Sequence, residues 1–166
     1  MSKRASTILG ILIIIVLFAG AACLFACNPP DHPDPPEPSI TTITELNQPY
    51  EGSVLRITAT EIETINYPSG GMVVSIKFVV ENVSKSESRL IWGNDMEGYI
   101  DDVATSQTFI IGYPDLIGQT IAPGKRAEGY YCLPCSKDAK IIEVRIRDAK
   151  YSEQFAVFVF DIPPVE

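Results

Sequence analysis

The sequence predicts an all-β sandwich of about seven short strands, carried behind an apolar leader and a proline-rich tether. Three observations predict it. Apolar and polar residues alternate with a period of two in several runs between residues 50 and 166. Clusters of glycine, proline, asparagine and serine separate those runs, and no window carries a helical stripe longer than two turns. Tyr50–Pro163 is long enough for one domain and too short for two.

The leader comes first. Lys3 and Arg4 precede Ile8–Ala26, a stretch without a charge, and Leu24-Phe25-Ala26-Cys27 closes it. A cysteine after small or apolar residues at the end of such a run resembles the lipobox of prokaryotic lipoproteins. The resemblance implies cleavage before the cysteine and a diacylglycerol on its sulfur. Cleavage before Cys27 puts Leu24 three places upstream and leaves a polar mature start, Asn28-Pro29-Pro30. Cys23 is the alternative, since an apolar region of about 7–15 residues would end near Phe18. An uncleaved helix is the third reading, because about 20 apolar residues can cross a bilayer core. Each places residues 28–166 on the extracytoplasmic side of the cell membrane, tied to it by a lipid or by a single-pass helix. The expected division is a leader over 1–26, lipidated Cys27 with its tether over 27–49, and a sandwich over 50–166.

Half the positions of Asn28–Ser39 are proline. Proline fixes φ and cannot donate to a ladder, so the tether reads as an extended polyproline-II spacer. His32, the chain's only histidine, lies there and reads as solvated.

Within the domain, Leu55 and Ile57 mark a first strand, with a change of phase before Ile62. Met72, Val74, Ile76, Phe78 and Val80 alternate with Val73, Ser75, Lys77, Val79 and Glu81. Arg89–Trp92 and Tyr99–Ile100 flank a turn expected over Asn94–Gly98. Pro123-Gly124 suits the centre of a type II turn, proline presetting φ and glycine accepting φ > 0. Ile142, Val144 and Ile146 form another alternating strand, and Phe155–Phe160 is apolar on both faces.

The order of these features resembles a known family. Gly52 and a first strand precede an alternating strand ending Val80-Glu81-Asn82, and an acidic turn region follows. Ala122-Pro123-Gly124-Lys125 leads into Gly129-Tyr130-Tyr131; Lys137-Asp138-Ala139 and Phe160-Asp161-Ile162 come last. This resembles the telokin-like, immunoglobulin-like domain of many Gram-positive lipoproteins, over about Tyr50–Pro163. The resemblance implies an immunoglobulin-like sandwich at the cell surface and supplies no catalytic residue.

Charge narrows the partners. Removing Lys3 and Arg4 leaves 11 basic side chains against 21 acidic ones, a net of −10. Such a surface repels phosphate backbones, so nucleic acid is not an expected partner. The domain holds no histidine, which excludes Ser-His-Asp and Cys-His catalysis. Neither a cofactor nor a resident metal is expected. Asp95, Glu97, Asp101 and Asp102 have the oxygens calcium accepts but not the glycine-centred spacing of an EF-hand loop; an exposed acidic hairpin is the simpler reading.

Cys132-Leu133-Pro134-Cys135 reads as a local disulfide, because an oxidising exterior favours a bridge. Reactive thiols, bridging between molecules and metal binding stay open; a redox centre would need a helix after the first cysteine, and the next element has strand periodicity. Phe109–Gly118 is apolar yet broken by glycine and proline. It reads as a connection packed over the sandwich, or as an exposed lip for a partner built on Ile110, Tyr113 and Leu116. Trp92 beside a strand reads as core. Asn82-Val83-Ser84 matches a glycosylation acceptor by chance. The expected function is non-catalytic binding of an extracellular protein or envelope component. The alternatives are a thiol-active protein using Cys132 and Cys135, or a structural accessory lipoprotein.

Overall fold

The computed structural model describes residues 39–67, 71–150 and 152–165. The leader, Cys23, Cys27, His32 and the tether before Ser39 lie outside the described residues. Two sheets face each other across an apolar core. The first runs in the order β1 (Ile40–Ile43), β11 (Phe155–Asp161), β10 (Ile141–Arg147), β6 (Met96–Ile100), β7 (Val103–Ala104). The second runs β2 (Pro49–Glu51), β3 (Leu55–Tyr67), β4 (Gly71–Asn82), β9 (Arg126–Cys135). A small pair, β5 (Arg89–Leu90) with β8 (Thr120–Ile121), completes the described strands. The ladders are antiparallel except β1 on β11, which is parallel.

The alternation read along β4 is the alternation of faces. Val74, Ile76, Phe78 and Val80 are fully buried, in one core cluster with Ile142, Val144 and Ile146 of β10. Phe78 meets Phe158 edge to face at 5.1 Å, joining the two sheets through a pair worth about 0.5–1.5 kcal/mol beyond its buried area. The expected phase change in β3 is a register shift between Ala59 and Glu61, which restores Ile62 to a half-buried position. Gly124 has φ 68° and Lys125 N donates to the Ala122 carbonyl at 3.0 Å, so Pro123-Gly124 forms the expected turn.

Three expectations change. The folded sandwich begins inside the expected tether: Ile40–Ile43 pairs with Phe155–Phe158, and Ile43 is buried in the core. A four-residue β-branched run, Ile-Thr-Thr-Ile, is too short to show a period but has the residues strands favour. The strands among the described residues also exceed seven, because β1, β2, β5, β7 and β8 are each two to four residues long. Finally, the hairpin turn is Asp101-Asp102, both at positive φ (47° and 66°), as a two-residue type I′ loop requires. Gly93–Asp95 is a 3₁₀ turn and Met96–Gly98 already belongs to β6.

Candidate functional site

Residues 105–119 form a strap around the edge of β9. Thr108 N donates to the Cys132 carbonyl at 2.9 Å, Tyr130 N to the Pro114 carbonyl at 2.8 Å, and Leu116 N to the Tyr130 carbonyl at 3.3 Å. These bonds occupy an edge that would otherwise invite another strand. Asp115 fixes the strap from within, its Oδ1 accepting from Gln107 Nε2 (2.8 Å) and from the Ile117 amide (3.1 Å). Gly129 makes the crossing possible: a Cβ there would lie 2.6 Å from the Leu116 amide nitrogen.

The strap straddles both faces of the sheet. Tyr113 lies outside, edge to face on Tyr130 at 4.8 Å, with Glu63 as the acidic neighbour of its phenol. Burial first, then Glu63, pushes its phenol above the usual tyrosine range. Leu116 turns inward and is fully buried in the core. The expected lip of Ile110, Tyr113 and Leu116 is therefore corrected: Leu116 is a core residue, and Ile110 and Tyr113 are half-buried. The exposed apolar side chains of the strap are Phe109 and Ile111, 69% and 97% exposed. The sequence marked the segment but could not say which residues turn out, because no regular period runs through it.

The local disulfide is also corrected. Cys132 and Cys135 are free thiols in one strand, β9. Three residues apart in a strand, they point to opposite faces, with Cα atoms about 10 Å apart, where a bridge needs less than about 7 Å. Cys132 pairs across to Ser75 on the outer face, its sulfur 3.4 Å from the Ser75 hydroxyl, while Cys135 packs against the core. Burial raises both thiols above the usual range, the reverse of what activates a nucleophilic cysteine.

The four central carboxylates do not converge. Asp95 is buried against Arg89 at 3.1 Å, and Glu97 accepts from the Tyr99 hydroxyl at 3.0 Å. Asp101 accepts from the amides of Lys140 and Ile141, and Asp102 is exposed in the hairpin turn. Among the described residues no group of three or more His, Cys, Asp or Glu side chains is placed to hold a metal.

Trp92 reverses its expectation: it is 53% exposed, while its neighbour Ile91 fills the core. The Asp95 carboxylate holds it there, Oδ2 accepting from the Trp92 amide at 2.9 Å. Asn82 is fully buried; its Nδ2 donates to the carbonyls of Glu87 (2.7 Å) and Ile121 (2.8 Å), so the sequon's amide is committed to the fold. Sequence reasoning also missed Asp148, whose carboxylate binds the turn between β2 and β3.

No family model matches the chain, and no curated protein matches it. Among described residues no helix is long and apolar enough to cross a membrane. Solved structures do resemble it. The ycdA protein of Bacillus subtilis, described provisionally as a lipoprotein, superposes with TM-score 0.59 at 18% identity, over 70% of this chain and 39% of that one. The chain thus spans well under half of that protein's length. The yjhA protein of Bacillus subtilis follows at TM-score 0.55 and 14% identity, covering 73% of this chain and 100% of its own. A β-sandwich protein from Clostridium difficile 630 gives TM-score 0.50 at 15% identity, over 80% of this chain and 100% of its own. At these identities the likeness is one of fold, and it agrees with the ladders above: this chain is an all-β sandwich protein.

Proposed function

We propose that the chain is an extracytoplasmic, lipid-anchored lipoprotein whose immunoglobulin-like sandwich binds an envelope protein or other envelope component without catalysis. One observation carries the binding role. Phe109 and Ile111 stand exposed on a strap that hydrogen bonds pin to the sheet, so the apolar pair is held out in an ordered position. Exposed apolar area costs about 25 cal/mol per Å², which docking would recover. The apolar leader ending at Cys27 supports the anchor, and the acidic surface argues against nucleic acid as a partner.

A photoreactive side chain at Ile111, in full-length protein in native membranes, tests the binding role against the same group at exposed Lys137. The expected result is a discrete adduct from position 111 alone, lost on Phe109→Ser. Identical patterns from both positions would reject the strap as an interface. Mass spectrometry of the mature N-terminus tests the anchor, with a lipidated Cys27 expected; an intact Met1 on the membrane-bound protein would reject it.

A further inference from the structure

The tether reaches the sandwich at Ser39, directly before Ile40 of β1. Ladder register lines up successive strands at that end. Ile40 stands opposite Phe155, Phe155 stands opposite Arg147, and β6 is entered there through Trp92 and Asp95. Ile43, Ala156 and Ile146 belong to the core, so by strand alternation Ile40, Phe155 and Arg147 share the outer face. Ile40 is 58% exposed and Trp92 53%. Arg147 lays its guanidinium over the Phe155 ring at 5.0 Å and walls an open cleft of about 400 Å³ with Trp92. Asp95, the carboxylate in that cleft, is paired with Arg89 at 3.1 Å. A second cleft beside the indole adds Val54, Leu90 and Ala149 next to Ser84 and Ser88. The end of the sandwich that takes the tether is therefore amphipathic.

Charge also sets this end apart. Asp148 reaches the Ser53 and Leu55 amides, Leu55 pairs with Asn82 and Glu81 with Arg126, so the loops 52–54, 83–88, 122–125 and 148–154 gather here. In them Lys85, Lys125 and Lys150 equal Glu87, Asp148 and Glu153 in number. At the opposite end Asp101, Asp102, Asp138 and Asp161 outnumber Lys137 and Lys140. None of the chain's acidic excess falls in the tether-end loops.

We infer that this end docks on the bilayer surface, with Trp92 and Ile40 in the headgroup layer and Arg147 beside them at the level of the phosphates. The inference rests on the lipid anchor proposed above. Tryptophan settles at a membrane interface, where its ring is in apolar surroundings and its N–H stays wet. Arginine lays its stem along apolar surface and keeps its charge at the headgroups. The chain from Cys27 to Ser39 is twelve residue steps, at most about 40 Å, which keeps Ile40 close to the anchored sulfur. In this pose β10 holds the acidic Asp101-Asp102 hairpin about 20 Å farther out. The strap stays accessible, because Thr108 pairs with Cys132, well along β9 from the docked Arg126 end.

Trp92 is the chain's single tryptophan, so its emission reports on this end alone. The full chain is held by its own anchor in vesicles of phosphatidylethanolamine and phosphatidylglycerol, with plain or brominated acyl chains. Docking is expected to shift Trp92 emission to the blue and to let bromine quench it. Trp92→Phe combined with Val103→Trp moves the reporter to the far hairpin, at a position 66% exposed, where neither effect is expected. Ile40→Thr keeps a β-branched residue in β1 and should lower the docked-to-free ratio about tenfold at an unchanged melting midpoint, the loss of one buried aliphatic side chain. Flotation with the vesicles reads the anchor separately. A chain that floats with Trp92 unquenched keeps the anchor and overturns the docking; a chain that does not float overturns both. A blue shift without quenching sets the indole against another protein chain, and equal quenching at 92 and 103 means no preferred end. Either result rejects the inference.

Discussion

Replacing Asp148 by Asn should destabilise the sandwich more than any exposed acidic substitution. Asp148 follows β10 in one sheet and is fully buried, yet its carboxylate serves the β2–β3 turn of the other. Oδ2 accepts from the Ser53 amide at 2.9 Å and the Ser53 hydroxyl at 2.7 Å, and Oδ1 from the Leu55 amide at 2.8 Å. Gly52 lets the chain approach so closely, since a Cβ there would fall 2.6 Å from Asp148 Cγ. Asparagine keeps the shape but turns one oxygen into a donor facing donors. Hydrogen bonds to a charged group contribute about 1.5–3 kcal/mol each, and a buried donor left unpaired costs about 1–3 kcal/mol. Losing the charge and one or two of these bonds gives a cost of about 4 kcal/mol, a large part of the roughly 5–15 kcal/mol that holds a domain folded. With a urea slope of about 2 kcal/mol/M, the unfolding midpoint should fall by about 2 M at unchanged slope. Asp138→Asn, at an exposed position, is the control. A fall of less than about 0.5 M in the Asp148 variant, or one equal to the control, would refute the view that this carboxylate ties the sheets together.

Gly129→Ala should push the strap off β9, costing about 1–3 kcal/mol by overpacking and speeding hydrogen exchange at the Leu116 and Tyr130 amides; unchanged protection there would contradict the crossing geometry. In mildly oxidising buffer the folded chain should keep Cys132 and Cys135 as two alkylatable thiols, Cys135 reacting first because Cys132 is only 3% exposed; a bridge between them by peptide mapping would mean β9 is not a strand there. Burial, then Asp115 and Glu97, pushes the Tyr131 phenol from 10.0 up to about 12. Because the folded value lies above the unfolded one, its contribution is present below about pH 10 and lost as pH rises towards about 12, about 2–3 kcal/mol in all. Tyr131→Phe should therefore flatten the alkaline limb of the stability curve, and an unaltered limb would show that another group sets it.

The division between what was legible in the residues and what was not follows the range of the interactions. A period of two over β4, β10 and β11 is a local property, because a strand's own geometry sends alternate side chains to opposite faces. The Pro123-Gly124 turn and the phase change in β3 are equally local, and they too could be read directly. The short strands β1, β2, β5, β7 and β8 were not legible, since two to four residues hold no period and exist only by pairing with a distant partner. The same limit misplaced the site. Phe109, Ile110, Tyr113 and Leu116 are all apolar, and only the crossing over Gly129 decides that Leu116 enters the core while Phe109 stays in water. Trp92 looked like core until Asp95 and Arg89 turned its backbone outward, and the cysteines looked like a bridge until β9 sent them to opposite faces. From the chain alone came the strand class, the lack of a histidine within the sandwich and the acidic charge. Tertiary structure alone decided which apolar and cationic side chains meet solvent together, because that depends on contacts between residues far apart in the sequence.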